Sequence, residues 1–411
     1  MNEYRRVVVT GIGAITPLGN SVSETWDGLI NGKNGIAPIT LFDKTNFKAK
    51  LAGEVKNFNP ELYFEVNEIL RTDRYAQFAG ASAIQAVTQS GIVGHVDPDR
   101  FAVIFGTGIG GINTFETVHR KLLEKGARRV SPLFVPMMIG NMAAGMIAMR
   151  FDCRSSAMPA VTACASGSNA IGEAMRMIRH GYADAVITGG SEAAIVPSAL
   201  AGFINMKALS TSEDPEAASI PFDKRRKGFV IGEGSAAFVL EEYEHAMNRG
   251  AKIYGEICGY GSTCDAYHIT APHPDGRGAA KAMELALKEA NYDSFDTVYI
   301  NAHGTGTPKN DSIETMAIKK VFKEKANDVF ISSTKSMTGH MLGAAGALEA
   351  LVCLLVLNNG VIPPTINLNQ QDEECDLNYI PNQAVQANIS LAISNSLGFG
   401  GHNACLAFRK V

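Results

Sequence analysis

A chain of 411 residues exceeds what one hydrophobic core usually holds, so two packed units or an internal duplication are expected. Apolar residues make up 46% and charged residues 19%, which excludes a disordered chain, and a net charge of −4 excludes a bulk field that would gather nucleic acid. Glycine is enriched, with 41 residues where roughly 7% is usual, and no collagen-like period explains it.

In chain order, MNEYRR reads as no secretory leader and runs into a strand predicted over 6–10. The capping box Ser21-x-x-Glu24 opens a helix over 22–31, and apolar spacing predicts another over 74–90. A strand at 101–105 runs into Gly106-x-Gly108-x-x-Gly111, an outline of the dinucleotide fingerprint. That fingerprint wants an acid about 20 residues on, ending a second strand, whereas Glu124 falls in the helix predicted over 113–125. An NAD-binding domain is not expected. The Met-rich run FVPMMIGNMAAGM reads as a buried or interface helix. A strand at 159–163, with a buried-strand pattern from Met158 to Thr162, leads into a small-residue helix (165–180), and strands at 184–189 and 236–241 follow. Between those last two, Lys224-Arg225-Arg226-Lys227 reads either as a solvated turn or, with Arg128, Arg129 and Lys207, as a dock for an acidic partner, and the residues do not rank the two.

The remainder repeats the plan: strand 251–259, helix 277–290, strand 297–302 into NAHGTG, helix 311–323 and strand 329–333. A small-residue helix over 342–356 and strands at 390–394 and 403–408 complete it. Alternating strands and helices predict an α/β layered fold, and the rhyme predicts duplicated halves, 1–250 and 251–411. The most apolar stretch, GAAGALEALVCLLVLNNG, carries Glu349 and is shorter than the ~20 residues a membrane span needs, so no membrane is expected. Cys258, Cys264, His268 and His273 lack the tight ligand pairs of structural zinc. The seven cysteines form no CxxC pair, which predicts a reduced, cytosolic compartment.

One cysteine has a distinctive setting. Cys164 follows a strand pattern and opens the helix at Ala165-Ser166-Gly167-Ser168. A thiol at a helix N-terminus gains from the dipole, so a lowered pKa, an exposed sulfur and free backbone N–H groups are expected there. His303, after VYINA, and His340, in Ser336-Met337-Thr338-Gly339-His340, stand at equivalent Gly-rich strand exits of the second half. One cysteine with two distant histidines is a pattern for nucleophilic acyl chemistry.

VTACASGSNAIGEA, NAHGTGTPKND, STKSMTGHMLGAAGALEA and SNSLGFGGHNA, in this order, resemble the β-ketoacyl-acyl-carrier-protein synthases. The resemblance runs nearly end to end and is closest to the elongating synthase II group of the thiolase superfamily. Two histidines distinguish it from thiolases, which use a second cysteine, and Cys164 distinguishes it from chain-length factors. It implies a thiolase-type fold of duplicated halves in a five-layered α/β/α/β/α sandwich, working as a cytoplasmic bacterial homodimer. The implied activity is decarboxylative condensation of malonyl carrier with an acyl thioester in fatty acid elongation. No cofactor is implied beyond the phosphopantetheine that arrives on the acyl carrier protein.

Residue by residue, the resemblance makes Cys164 the nucleophile and gives His303 and His340 decarboxylation and the enolate oxygen. Lys335 and Glu349 organise that network, the Lys335 charge keeping His340 neutral. Backbone N–H groups of Cys164 and Phe399 form the oxyanion hole, with Phe399 and Gly400 in a gating loop. Thr270, Thr305 and Thr307 match the pantetheine contacts. Ile109 and Phe203 line the acyl pocket, and Leu133 and Phe134 reach in from the partner subunit. Arg128, Arg129 and Lys207 are the implied carrier contacts. Asn301, Glu349, Ser394 and Asn395 match a buried sodium or potassium site of some members. Two departures stand out: Asn67 to Leu70 lacks lysines common in relatives, leaving Arg71 and Arg74, and His402 replaces a frequent threonine.

Overall fold

In a computed structural model that describes residues 4–411, the alternation becomes one ten-stranded sheet. Its strands are β1 (Val7–Ile15), β2 (Phe101–Gly106), β3 (Ala157–Ala160), β4 (Ala185–Glu192) and β5 (Gly234–Glu242), then β6 (Gly255–Cys264), β7 (Val298–Asn301), β8 (Phe330–Ser332), β9 (Leu391–Gly398) and β10 (His402–Arg409). The long helices are α1 (Arg74–Ser90), α2 (Ile112–Lys125), α3 (Met142–Phe151), α4 (Ser166–Arg179), α5 (Arg277–Glu289), α6 (Pro308–Phe322) and α7 (Ala345–Asn359). The spatial order is β8-β7-β9-β10-β6-β1-β5-β4-β2-β3.

Only the pairs Val8–Glu256 and Val9–Gly255 join β1 to β6. On either side of that seam the plan is the same. β1, β5 and β4 are successively antiparallel and β4, β2 and β3 parallel. β6, β10 and β9 are successively antiparallel and β9, β7 and β8 parallel.

Period-two side chains turn this sheet into layers. On β2, Phe101, Val103 and Phe105 pack on α1 and α3, while Ala102 and Ile104 join a cluster with α4 and α7. On β7, Val298 and Ile300 pack on α5 and α6, and Tyr299 turns to the central cluster. The order is helices, one half of the sheet, the central helices α4 and α7, the other half of the sheet, helices. Leu342–Asn359 is long and apolar enough to cross a membrane, but it is the buried middle of this stack.

Two strands outrun their predicted ends for the same reason. β1 continues through Gly11 and Gly13 to Ile15, and β6 continues through Gly259 and Gly261 to Cys264. A Cβ on Gly11 or Gly13 would strike the carbonyl oxygens of Ala86 or Ser82 on α1. On Gly259 or Gly261 it would strike those of Ala286 or Ala282 on α5. These glycines seat a helix on a strand instead of ending the strand. Gly106 and Gly111 likewise abut the carbonyls of Ser166 and Met137, which accounts for glycines that outline a dinucleotide motif.

Three expectations are corrected. The segment Met158–Thr162 is not buried: β3 is the sheet edge, with Met158 43% and Val161 57% exposed. The Met-rich run forms two helices, Phe134–Met138 and α3, separated by Gly140. Within the basic run, Arg226 is 5% exposed and paired with Asp372 at 2.5 Å, so the turn is not wholly solvated.

Candidate active site

Parallel strands deliver their C-terminal exits to one side of a sheet, where α/β folds gather their chemistry. Here the exits of β2, β3, β7 and β8 and the β9–β10 turn line one cavity of about 810 Å³.

Cys164 sits in a short 3₁₀ turn, Ala163–Ala165, ahead of α4. Ala163 has φ +52°, a left-handed conformation costing roughly 1–2 kcal/mol without glycine. The turn is held by Ser166, whose Oγ donates to Ala163 O at 2.7 Å and accepts from Thr162 N at 2.9 Å. Contrary to the sequence expectation the sulfur is buried, with Cys164 7% exposed. Burial pushes its pKa up to about 12, against the Lys335 charge and an N–H donated by Phe399. The expected lowering fails because a helix terminus contributes only about 0.3–1 kcal/mol, less than desolvation removes.

His303 leaves β7 on a backbone pinned by Glu314 of α6, whose carboxylate accepts from the N–H groups of His303 and Gly304, each at 2.8 Å. His340 is fixed by its own N–H donating to Val230 O at 2.7 Å and by the Phe229 ring, edge-on at 5.2 Å. The two imidazoles stand 5.3 Å apart at 84°. One ring nitrogen of each and the Cys164 sulfur all lie within 4.8 Å of one another. Burial first, and then the Lys335 charge, hold both histidines well below the usual imidazole pKa. Both are therefore neutral near pH 7, each with an N–H to donate. Nδ1 of His303 and both ring nitrogens of His340 have no hydrogen-bond partner among the described residues.

Lys335 and Glu349, each 2% exposed or less, form a buried ion pair. Burial pushes Glu349 up to about 7 although Lys335 opposes it. Among the described residues its second oxygen is unpartnered, as are both side-chain polar atoms of Asn301, Ser394 Oγ and Asn395 Oδ1. Asn301 and Ser394 are register partners on β7 and β9. Unpaired buried oxygens are costly, and an oxygen-rich set of this kind fits a hard cation.

The cavity wall includes Ile109, Phe203, Thr270, Thr305, Thr307 and Phe399, with exposed Lys207 also lining it. Thr305 and Thr307 share a hydrogen bond at 3.0 Å. Phe203 lies edge-on to Phe229 at 5.4 Å, so an aromatic chain runs from the apolar wall to His340. Gly400, with φ +86°, donates its N–H to Ile269 O at 2.8 Å, and Gly401 has φ +78°. These left-handed positions favour glycine beside Phe399. Leu133 and Phe134 are half-buried and do not line this cavity, and Arg128 and Arg129 are exposed in a separate turn. Of the two alternative basic residues, Arg71 is exposed, whereas Arg74 is committed to Glu233 at 2.7 Å. Sequence reasoning missed Glu314 and Phe229. The signal for Glu314 was Asp311-x-x-Glu314, two acids on one turn of helix just past a catalytic-looking loop.

Family profiles match two stretches: "Beta-ketoacyl synthase, N-terminal domain" over residues 4–246 and "Beta-ketoacyl synthase, C-terminal domain" over 254–369. The chain is 50% identical over 410 residues to 3-oxoacyl-[acyl-carrier-protein] synthase 2 of Synechocystis sp., covering 99% of each. It is 48% identical to the Staphylococcus aureus protein of the same name, covering 100% of this chain and 99% of that one. Among solved structures, a type II PKS ketosynthase in complex with its acyl-carrier protein is similar at TM-score 0.93 and 35% identity, covering 99% of this chain and 100% of that one. A buried cysteine from the first half facing two neutral histidines from the second agrees with that likeness, and the chain belongs to the β-ketoacyl synthase family.

Proposed function

We propose that this chain is a 3-oxoacyl-acyl-carrier-protein synthase that lengthens medium to long acyl chains in fatty acid synthesis. The observation that carries this reading is the cluster of Cys164, His303 and His340 within 4.8 Å, in a cavity with one apolar wall. The acyl group passes from the carrier's pantetheine sulfur to Cys164 Sγ. The new thioester forms as the old one breaks, and the cysteine proton ends on the released pantetheine thiol. Malonyl carrier then loses carbon dioxide, and the electron pair left at C2 is delocalised onto the thioester oxygen. Neutral N–H donors of His303 and His340 stabilise that enolate, roughly 3–4 kcal/mol for one donor in a comparable site. C2 attacks the Cys164 thioester, and the N–H groups of Cys164 and Phe399 receive the carbonyl oxygen. The Cys164 thiolate leaves and takes up a proton, giving 3-oxoacyl carrier, carbon dioxide and, from the first step, free carrier.

Supporting residues take their places around these steps. Thr270, Thr305 and Thr307 hold the pantetheine arm, and Phe399 with Gly400 gates it. Ile109 and Phe203 line the acyl pocket, completed by Leu133 and Phe134 of a second copy. A homodimer is supported by the open edge of β3, whose unpaired backbone and apolar Met158, with Val161 just after it, call for a cover. Arg128, Arg129 and Lys207 dock the acidic carrier. The reaction needs no cofactor. Asn301, Glu349, Ser394 and Asn395 would hold a structural sodium or potassium, supplying charge to satisfy their oxygens. The halves 1–250 and 251–411 are copies of one duplicated unit. The enzyme works in the bacterial cytoplasm, in keeping with its bacterial relatives.

The test is transfer of a radiolabelled acyl group from C6 to C16 acyl carriers. Thioester label is expected on wild-type protein and not on Cys164→Ser. Thioester labelling of Cys164→Ser at the wild-type level would overturn the reading.

A further inference from the structure

The last residue of β4, Glu192, is a fully buried carboxylate that the steps above do not use. Among the described residues it has no cationic partner. Four donors converge on it instead: Gly108 N–H at 2.7 Å, Gly343 N–H at 3.0 Å, Thr107 hydroxyl at 3.1 Å and Ile109 N–H at 3.2 Å. Three come from the loop after β2, and one comes from the loop between His340 and α7. Thr107 Oγ1 also accepts from Gly110 N at 3.1 Å, so the whole turn 107–110 hangs on this acid.

Glycines make the convergence possible. A Cβ on Gly108 would stand 2.7 Å from a Glu192 carboxylate oxygen. One on Gly343 would stand 2.8 Å from the same oxygen and would also strike Gly108 N. The same Gly108 Cβ position is 3.6 Å from Ala163 O in the nucleophile turn. Two segments of the site therefore meet at one carboxylate, the acyl-pocket wall carrying Ile109 and the loop following His340, and the turn carrying Cys164 lies beside Gly108.

We propose that Glu192 is a positioning residue for acyl selection, clamping the Ile109 turn to the His340 loop and so setting the mouth of the acyl pocket. The proposal rests on the acyl-transfer reading given above. Geometry weights the effect toward the acyl side, since three of the four donors belong to the turn carrying Ile109. Glu192→Gln keeps the shape but turns an NH₂ group toward one pair of donors, so the clamp loosens there.

The experiment measures two half-reactions on the same preparations: acyl loading of Cys164 from C6, C10 and C16 carriers, and decarboxylation of malonyl carrier. In Glu192→Gln, C16 loading is expected to fall at least 10-fold, C6 loading less than 3-fold, and decarboxylation less than 3-fold. Thr107→Val, which removes one donor without touching the acid, should move the C16 to C6 ratio the same way by a smaller factor. It also serves if the glutamine variant does not fold. Ratios unchanged in both variants would overturn the proposal, as would equal losses at every chain length and in decarboxylation. Wild-type protein that accepts no acyl group at Cys164 would instead overturn the function, so the two failures are distinguishable.

Discussion

The two halves share one strand plan but finish their edges differently. The edge strand of the second half, β8, is covered by its own chain, with Ile331 N–H donating to Asn378 O at 2.9 Å. Among the described residues its counterpart β3 has no such cover, and Met158 and, just beyond it, Val161 are exposed. The strand exits differ in step with the edges. Behind open β3 lies the strained turn with Cys164, and behind covered β8 lie Lys335, His340 and helix α7, buried from Ala345 to Leu357. The lesson is a division of labour. The half with an open edge carries the nucleophile and its acyl wall, while the closed half holds a rigid, desolvated pair of imidazoles.

The largest effect should follow from breaking the first half's contribution. Cys164→Ser is expected to lower condensation at least about 10³-fold while the malonyl decarboxylation half-reaction survives. Parallel assays of labelled acyl transfer and carbon dioxide release check this. Breaking the second half should do the reverse. His303→Ala or His340→Ala is expected to lower decarboxylation about 10²–10³-fold while acyl loading persists at a measurable rate. If both half-reactions fell together in each variant, the division between halves would be wrong.

Charge at the open edge comes next. Met158→Lys places like charges across a two-fold pairing of β3, a juxtaposition that costs several kcal/mol. If the proposed dimer pairs through β3, sedimentation should show it dissociating, whereas Asn378→Ala beside the covered edge should leave the sedimentation coefficient unchanged. The smallest effects are in pH profiles. With both histidines held well below pH 6.5, neutral donors persist on acidification, so decarboxylation should stay flat from pH 8 to about 6.5. Lys335→Ala removes a nearby positive charge, raises the histidine pKa values and should shift the acid limb to higher pH. In the first half, a Cys164 thiol pushed up to about 12 means that iodoacetamide alkylation should keep rising from pH 8 to 10 without levelling.

Much of this division was legible in the residues. Local periodicity marked the long helices within a few positions, and Cys164, His303 and His340 stood out because each follows a strand and meets small residues. Glycine was the least legible signal. At Gly11, Gly13, Gly259 and Gly261 it suggested strand ends, because a sequence shows the missing side chain but not the helix carbonyl occupying that space. The pKa of Cys164 was misjudged for a related reason. The helix that favours its thiolate is local, whereas the burial that opposes it comes from distant segments. Glu314 and Glu192 were missed because each acts through backbone N–H groups that no residue letter reveals.

The sequence by itself determined that two alternating units exist, that each ends its strands in small-residue loops, and which nucleophile and imidazoles those loops carry. These are properties of short segments, set by periodicity and by what each side chain can do. Only the tertiary structure decided that the exits converge on one cavity, that desolvation keeps the histidines neutral and the thiol protonated, and that one edge is closed while the other is open. Those outcomes depend on which distant backbones pack together, since burial and partner geometry are fixed by packing and not by order along the chain.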